Sequence, residues 1–523
     1  MKREFEILQD QPFDLLICGG GIYGAWTAYD AALRGLKVAI VEQADWAGAT
    51  SSASSKLIHG GLRYLESYDF KLVKKALTER QMLLHTAPHR VWPLRFGVPV
   101  YADSRISRLQ LKLGLMLYDF LAATPLRKMA HHYFSRQAFS QRFSLLDTTG
   151  LKGGFTYSDA QTDDARLVLE LISGAIEAGA VCVNYCQLQS LTENNGRVTG
   201  AQVQDKLSGA TIAVQAKQIV YAAGQWMAAE KESSKWCRVT KGVHLILPAS
   251  LQGEALLLTA KSDGRVFFII PWYGLTVLGT TDTDYSGDMN RVVVEEKDVT
   301  YLLDAANHYL KTAWTQADVV GRYAGLRVMK RSDKSAPSSV SRDWELKTAA
   351  NGVHYSIGGK ITSAREDAAV IVDTICTELG LATACATRGR LFPWAPQDYA
   401  NWSAMLQLQA TLLGMDEESA HWLIRRHGKN TPEVLKLIAS NPTLAERIAL
   451  TVPLTLADLR YCAQHEMVVH LDDLLRRRMP FLILNKLSHS ELRGLAMVVA
   501  ETLGWDSTAT EHEVEACSHY CTQ

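Results

Sequence analysis

Isolated cationic and imidazole side chains lie in turns that are rich in glycine and hydroxyl residues. Arg and Lys in such turns offer fixed N–H donors to an anion, and one Arg can bind two phosphate oxygens at once. A neutral imidazole can accept a proton near pH 7. The residues with these properties are Arg63, His244, Arg327, Arg342 and Lys360. Because each of them alone would also fit a surface charge or a structural role, the elements around them must be identified next.

A glycine-rich turn near the N-terminus predicts a dinucleotide site. Phe13 to Cys18 is a short apolar run typical of a buried parallel strand, and a second run, Val38 to Val41, ends at Glu42. Between the runs, a G-x-G-x-x-G pattern opens a helix that ends near Gly35. Such glycines permit a tight turn and close approach of a pyrophosphate, and the acid can accept hydrogen bonds from a ribose. The glycines are Gly19, Gly21 and Gly24. This unit alone does not distinguish FAD from NAD.

A serine-rich segment follows, "GATSSASSKLIHGGLRYLE" from Gly48 to Glu66. Its small hydroxyl residues allow the backbone to approach a ligand, and its two consecutive glycines permit unusual backbone angles beside a flat ring. The residues expected to contact a ligand here are Ser51, Ser52, Ser54, Ser55, Lys56, His59 and Gly60. A solvated serine-rich loop that ends in a glycine cap is the alternative interpretation.

Composition and charge limit the class of protein. The 523 residues predict two or more domains, and equal numbers of basic and acidic residues, 55 each, give no global field for nucleic acid. The nine cysteines form no C-x-x-C pair, which is typical of free thiols in a reducing compartment. We expect no metal site, no signal peptide and no membrane-spanning helix. A cytoplasmic location follows as an expectation.

Three motifs together resemble the FAD-dependent glycerol-3-phosphate dehydrogenases. They are "TSSASSKLIHGGLRYLE", "FIIPWYGLTVLGTTDTDY" from Phe268 to Tyr285, and "YSIGGKITSARE" from Tyr355 to Glu366. The resemblance runs from Phe13 to about Trp505 and implies FAD as the cofactor, because in that family the glycine turn binds the ADP half of FAD. No second G-x-G-x-x-G that would bind a nicotinamide cofactor follows a strand. It implies an α/β fold with a Rossmann-like FAD-binding domain, a mixed-sheet substrate domain and an all-helical C-terminal domain.

Domain boundaries follow from a change in composition near Thr387. The FAD-binding and substrate domains are expected to interleave within residues 1–386, and the helical domain to occupy residues 387–523. In the helical domain, Arg476 to Arg478 are expected to form a solvated helix end that the helix dipole favours.

The resemblance also implies a role for each site residue. His244 and His59 are the candidate proton acceptors, and Arg327 and Arg342 would stabilise the developing alkoxide. Arg63, Tyr64 and Lys360 would bind the substrate. Besides the turn, acid and serine segment given above, FAD would be bound by Gly224 in "QIVYAAGQW" and by Gly358, Gly359, Lys360, Ile361 and Thr362 in the "GGKIT" turn.

The reaction implied is oxidation of sn-glycerol 3-phosphate, or of a related phosphorylated polyol, with electrons passed to a quinone-type acceptor. The segment Arg105 to Lys128, apolar but with interspersed basic residues, is a candidate contact with the inner face of the cytoplasmic membrane. A buried core helix explains this segment almost as well. The resemblance also implies a homodimer.

Departures from the family pattern bear on the substrate. Val328 and Met329 replace the Pro-Leu that commonly follows the site arginine, and Ala364 replaces a common tyrosine. The added room would suit a longer polyol phosphate, such as erythritol phosphate. An amine or amino-acid oxidase and a non-catalytic flavin-binding protein are the remaining alternatives.

Overall fold

The computed structural model describes residues 1–66, 68–122, 129–331 and 343–520. The strands are β1 (Phe13–Cys18), β2 (Val38–Val41), β3 (Leu57–Ile58), β4 (Val91–Tyr101), β5 (His132–Ser135), β6 (Leu151–Thr162), β7 (Val181–Val183), β8 (Cys186–Asn194), β9 (Arg197–Asp205), β10 (Thr211–Tyr221), β11 (Cys237–Leu247), β12 (Ala255–Thr259), β13 (Val266–Trp272), β14 (Leu275–Gly279), β15 (Thr283–Asp284), β16 (Gly321–Lys330), β17 (Glu345–Thr348) and β18 (His354–Ile357). The helices are α1 (Ile7–Asp10), α2 (Ile22–Leu33), α3 (Phe70–Thr86), α4 (Arg108–Leu121), α5 (Arg136–Arg142), α6 (Asp164–Glu177), α7 (Glu296–Asn307), α8 (Ala364–Glu378), α9 (Tyr399–Leu412), α10 (Glu417–His427), α11 (Thr431–Ser440), α12 (Leu456–His465), α13 (Phe481–Leu484), α14 (His489–Leu503) and α15 (Ser507–Cys517).

The first sheet is the predicted Rossmann-like sheet. Its strand order is β17-β18-β10-β1-β2-β7, and β18, β10, β1, β2 and β7 all pair in parallel. The strand β2 is buried along its whole length, as a parallel strand covered on both faces must be. Helices α2, α6 and α8 contribute apolar residues to the core on one side of this sheet. The carboxyl ends of β1, β2 and β10 therefore meet at one edge, where a ligand can bind.

The second sheet is mixed, as predicted for the substrate domain. Its order is β15-β11-β14-β13-β12-β4-β6-β3, with β16 also paired to β11 and β5 to β6. The pair β4 and β12 runs parallel, whereas its other pairs run antiparallel. The chain leaves the first sheet after β2, builds β3 to β6 here and returns at β7. The two sheets are therefore interleaved in sequence.

The C-terminal part of the chain, from Tyr399 to Tyr520, is helical. Its helices share a core with the second sheet, in which Leu459, Leu474 and Val499 are fully buried. Asp473–Arg478 form a π-helical turn rather than a solvated helix end. The expectation for the arginines is wrong for Arg477 and Arg478, which are 5% and 0% exposed. The physical reason is a buried carboxylate that binds them both, described below.

Helix α4 covers most of the predicted membrane segment, whose residues 123–128 lie outside the described ranges. Leu115 and Tyr118 are buried against the body of the protein, so the helix is part of the fold. Its opposite face exposes Leu109, Leu113, Met116 and Phe120. Within the described ranges, no helix has both the length and the apolar character needed to cross a bilayer.

Candidate functional site

The glycine turn between β1 and α2 has the backbone that close packing and a phosphate both require. Gly19 has φ +117°, and a Cβ there would lie 2.5 Å from the carbonyl oxygen of Ala222. A Cβ on Gly24 would lie 1.9 Å from the carbonyl oxygen of Gly19, so this glycine serves helix–strand packing. At Gly21 a Cβ would meet only Ser51 Oγ, at 3.2 Å. Gly21 therefore leaves space at the start of α2, where the positive end of the helix dipole would face a pyrophosphate.

A cavity of about 130 Å³ lies beside this turn, at the carboxyl ends of β1, β2 and β10. Glu42 borders it, accepting hydrogen bonds from Gly20 N at 2.6 Å and Ala44 N at 2.9 Å. Burial raises the pKa of the Glu42 carboxyl, and these two backbone donors offset part of that effect. Because a carboxylate has further lone pairs, Glu42 can also accept hydrogen bonds from a ribose bound in this cavity.

A second cavity, of about 310 Å³, continues from the first. Both are bordered by Gly21, Thr50, Ser51, Ala222 and Gly224, so they form one elongated cleft. The predicted site residues that border the second cavity are Gly21, Ser51, Ser54, Ser55, His59, Arg63, Tyr64, Gly224, Arg327, Gly358, Gly359, Lys360, Ile361 and Thr362. Residues more than three hundred positions apart in the chain thus meet along one cleft.

The serine segment divides into residues that border the cleft and residues that support it. Ser51 Oγ accepts a hydrogen bond from Ile22 N at 3.0 Å and so closes the first turn of α2. Lys56 is 1% exposed, and its Nζ donates to Asp164 Oδ1 at 2.6 Å and to the carbonyl oxygen of Ser52 at 2.7 Å. Ser54 Oγ donates to the other oxygen of Asp164 at 2.6 Å. Lys56 and Ser52 therefore hold the segment from behind.

The "GGKIT" turn has left-handed backbone at Gly358 (φ +70°) and Gly359 (φ +97°). It rests on Tyr23, which sequence reasoning missed: its hydroxyl accepts a hydrogen bond from Lys360 N at 3.0 Å and donates to Asp367 Oδ2 at 2.8 Å. A Cβ on Gly359 would lie 1.7 Å from that hydroxyl, which explains the second glycine. Only the position of Tyr23 within the G-x-G-x-x-G pattern could have suggested this contact.

His244 is placed differently from His59. His59 borders the cleft, whereas His244 is 1% exposed in β11, behind Ser55. The Nε2 of His244 lies 2.8 Å from Ser55 Oγ, and its ring stacks on Tyr323 with centroids 4.7 Å apart. Burial, followed by the charges of Arg327 and Lys56, holds the pKa of His244 well below its usual value. This imidazole is neutral at pH 7 and reaches the cleft through the Ser55 hydroxyl.

The cationic residues of the cleft come from separate elements. Lys360 Nζ lies 3.8 Å from the centroid of the Tyr64 ring, and Arg63 borders the same cavity. Arg327 projects from β16 and donates to the carbonyl oxygen of Thr281 at 3.1 Å and to Thr280 Oγ1 at 2.8 Å. Its guanidinium occupies the space above Gly242, where a Cβ would lie 2.4 Å from Nη2. Arg342 lies outside the described residues.

One residue that borders the cleft was not predicted, and the positions that depart from the family pattern differ in whether they reach it. Arg265 borders the second cavity and donates from Nη1 to the carbonyl oxygen of Asp282 at 2.6 Å. Val328 and Met329 border it as well, whereas Ala364 is fully buried at the start of α8. The departure at position 364 therefore adds no volume to the cleft, and the departures at 328 and 329 do reach it. Arg265 gave no signal in the sequence, because an exposed strand end is its commonest setting.

The fold and the cleft together define a dinucleotide-binding flavoprotein, whose donors and acceptors fit FAD along the cleft from Glu42 to the "GGKIT" turn. The family described as FAD dependent oxidoreductase matches residues 14–365, and the C-terminal domain of alpha-glycerophosphate oxidase matches residues 389–510. A glycerol-3-phosphate dehydrogenase of Synechocystis sp. is 34% identical, with 100% of this chain and 98% of the relative covered. An aerobic glycerol-3-phosphate dehydrogenase of Staphylococcus aureus is 33% identical, covering 91% and 88%.

Among solved structures, the glycerol-3-phosphate dehydrogenase of Bacillus halodurans complexed with FAD superposes with a TM-score of 0.81. It is 28% identical, and the match covers 99% of this chain and 96% of that one. The chain belongs to the FAD-dependent glycerol-3-phosphate dehydrogenase family. It is an oxidoreductase with FAD as its cofactor, which confirms the predicted fold class, enzyme class and cofactor.

Proposed function

We propose that the protein oxidises the C2 hydroxyl of sn-glycerol 3-phosphate, or of a closely related phosphorylated polyol, to the keto phosphate. The observation that carries this proposal is the set of cations that border the cleft beside the "GGKIT" turn, Arg63, Arg327 and Lys360. Such a set suits a phosphate dianion better than the carboxylate and amine of an amino acid. FAD, when bound, supplies the acceptor for the hydride that leaves C2.

The protein residues have three tasks: to bind the phosphate, to orient C2 and to accept the hydroxyl proton. Arg327 can donate to a phosphate oxygen, because its guanidinium is fixed by Thr280 and Thr281 while its side chain stays 22% exposed. We propose that the proton passes to Ser55 Oγ and from there to neutral His244, whose Nε2 is 2.8 Å away. His59, which borders the cleft directly, is the alternative acceptor.

The test is turnover of a dye acceptor by the purified protein across polyol phosphates of three and four carbons, with glycerol as the uncharged control. We expect activity with the phosphorylated compounds and essentially none with glycerol, since glycerol has no phosphate for Arg63, Arg327 and Lys360 to bind. Because Val328 and Met329 reach the cleft, the relative kcat/KM of the two chain lengths decides whether a longer substrate is preferred. Absence of turnover with any polyol phosphate would refute the proposal.

We further propose that the electrons pass to a quinone-type acceptor while the protein rests on the inner face of the cytoplasmic membrane through α4. Leu109, Leu113, Met116 and Phe120 are 66%, 56%, 50% and 79% exposed and recur on one helix face. Arg108 and Lys112 are exposed on the same helix, a combination typical of an interfacial helix on an anionic surface. The homodimer predicted from the resemblance stays a prediction.

A further inference from the structure

The loop that follows β2, residues 43–48, sets the shape of the smaller cavity. Ala44 N donates to Glu42 Oε1 at 2.9 Å, and Gly20 N donates to Oε2 at 2.6 Å. Ala47 N donates to the carbonyl oxygen of Gly20 at 3.1 Å. The ring of Trp46 packs against the same glycine, since a Cβ on Gly20 would lie 2.4 Å from it. The loop therefore positions both the acid and the glycine turn that meet the adenosine half of a dinucleotide.

The side chain of Asp45 in this loop is held by two arginines from the helical part of the chain. Arg477 Nε donates to Asp45 Oδ2 at 2.6 Å, and Arg478 Nη2 donates to Oδ1 at 2.9 Å. Arg478 Nη1 makes a further short contact with Oδ2. Asp45 is 1% exposed and Arg478 0% exposed, so these contacts are shielded from bulk solvent.

The arginines are themselves fixed within the helical part. Arg478 Nε donates to the carbonyl oxygen of Glu466 and Nη2 to that of Met467, both at 2.9 Å. Arg477 Nη2 donates to Asp473 Oδ1 at 2.7 Å. Trp46 Nε1 adds a second link from the loop, to Met467 Sδ at 3.3 Å. The loop and the helical part are thus joined by two independent contacts.

The charges explain why this junction is specific. Burial raises the pKa of Asp45, but the guanidinium groups of Arg478 and Arg477 outweigh it, so its pKa lies below the usual value. A buried ion pair contributes little net stability compared with packed apolar side chains, whereas loss of one partner is costly. An ion pair at this place therefore acts mainly by fixing one arrangement of loop and helical part.

We propose that Arg477 and Arg478 form a clamp that positions the adenosine half of the FAD site through Asp45, so that the helical domain completes this site from behind. Neither arginine borders the two cavities described above, and both are positioning residues. Since the clamp joins the loop to the helical domain, FAD binding and docking of that domain stabilise each other reciprocally. This inference does not depend on the identity of the polyol phosphate.

The first test measures the affinity of the apoprotein for FAD by quenching of flavin fluorescence. For Arg478→Lys and Asp45→Asn we expect the Kd for FAD to rise about 5- to 150-fold. Once FAD is saturating, the KM for the polyol phosphate should be that of wild type. Arg426→Lys is the matched control, because Arg426 and Asp458 form a buried pair with both side chains 0% exposed. The Arg426 guanidinium lies against the ring of Tyr273, between β13 and β14, rather than against the loop at residues 43–48. An unchanged Kd in the clamp variants, or an equal rise in the control, would overturn the proposal.

The second test needs no variant and so does not depend on how well a variant folds. Amide hydrogen exchange of residues 456–478 is followed in the wild-type protein with and without FAD. We expect FAD to slow exchange in α12 and in the π-helical turn, although neither borders the cleft. Exchange rates in this segment that are identical in both states would show that the helical domain and the adenosine site are uncoupled.

Discussion

At the scale of single residues, Arg327 and Arg322 offer a matched pair on β16. Their side chains are 22% and 21% exposed, but Arg327 borders the cleft, whereas Arg322 pairs with Glu296. Arg327→Ala should lower kcat/KM for the polyol phosphate, because a charge-assisted contact is lost. The expected loss of transition-state stabilisation is about 2–4 kcal/mol. Arg327→Lys should recover only part of this loss.

Steady-state kinetics and a flavin spectrum of each variant check this prediction. The flavin content should be that of wild type, and Arg322→Ala should leave kcat/KM unchanged. Equal kinetics for Arg327→Ala and Arg322→Ala would remove Arg327 from the substrate site.

The proposed proton path through Ser55 makes a second prediction. Ser55→Ala should lower kcat by about a hundredfold or more, since general-base catalysis contributes that much, while FAD stays bound. Because the pKa of His244 lies well below its usual value, wild-type activity should persist as the pH falls through about 6.5 and drop only at lower pH. Rates measured from about pH 5 to 8 decide this. A fully active Ser55→Ala variant would instead favour His59, which borders the cleft directly.

The sequence could identify the types of these residues but not their pairing. Ser55 and His244 are 189 positions apart, and no local pattern reports that one hydroxyl meets one imidazole nitrogen. The resemblance implied that His244 lies near the substrate, and the structure places His244 behind Ser55, whose side chain borders the cleft. Tyr23 escaped notice for the same reason, because its partner Lys360 lies 337 positions away.

At the scale of elements, the glycine turn before α2 predicts two different phenotypes. Gly21→Val should fold normally but lose FAD, because its side chain would enter the space that a pyrophosphate needs while meeting Ser51 Oγ only at 3.2 Å. Gly24→Val should destabilise the whole protein, since even its Cβ would lie 1.9 Å from a backbone oxygen. Thermal unfolding together with flavin absorbance separates the two outcomes. A yellow Gly21→Val protein would show that the pyrophosphate lies elsewhere.

The exposed apolar face of helix α4 predicts that the protein binds anionic membranes. Leu113→Glu should reduce sedimentation with anionic vesicles, because it puts a negative charge on the apolar face. Leu408→Glu on α9 is the control: Leu408 is 63% exposed, against 56% for Leu113, and Tyr399–Leu412 contains no charged residue. Activity with a soluble dye should be unchanged in both variants. If both variants lose vesicle binding equally, or if neither variant loses it, a role for α4 in membrane contact is contradicted.

Elements were easier to predict than their partners. The strand, turn, helix and strand around Gly19 to Gly24 stand where periodicity and glycine spacing put them, since each depends on neighbours in sequence. Arg476 to Arg478 looked like a helix end that faces solvent, because the buried partner of Arg478, Asp45, lies 433 positions earlier. The ends of local elements are readable in a sequence, whereas the contacts between distant ones are not.

At the scale of the whole molecule, buried imidazoles predict how stability depends on pH. His89, His244 and His427 are at most 1% exposed, and burial is the first cause that lowers the pKa of each. In the unfolded chain these histidines bind protons below about pH 6.5. In the folded protein they bind protons only at lower pH, because their pKa values are lowered. Stability from these groups is therefore full above that pH and is lost as the pH falls below it, at up to about 1.4 kcal/mol per group and pH unit.

Urea unfolding at several pH values between about 5 and 7.5 measures this effect. The raised pKa of His470, caused first by its hydrogen bond to Glu513, acts in the opposite sense. Its stabilisation is present at low pH and is lost as the pH rises through the raised value, and partial exposure of the side chain weakens it. A urea midpoint that stays constant or rises as the pH is lowered from about 6.5 to about 5 would contradict the prediction for the three buried histidines.

The residues that form and support the cleft are spread over most of the chain, and this has a consequence for biosynthesis. A nascent chain that has just completed β10 already carries the glycine turn, the acid and the strand that ends beside Gly224. It still lacks the turn at Gly358 and the arginines at Arg477 and Arg478, which the ribosome adds much later. FAD can therefore be enclosed only when translation is nearly complete, so we expect the incorporation of FAD to be a late step of maturation. Chains that end before Arg477 would be released as apoprotein and left to the quality-control proteases of the cell.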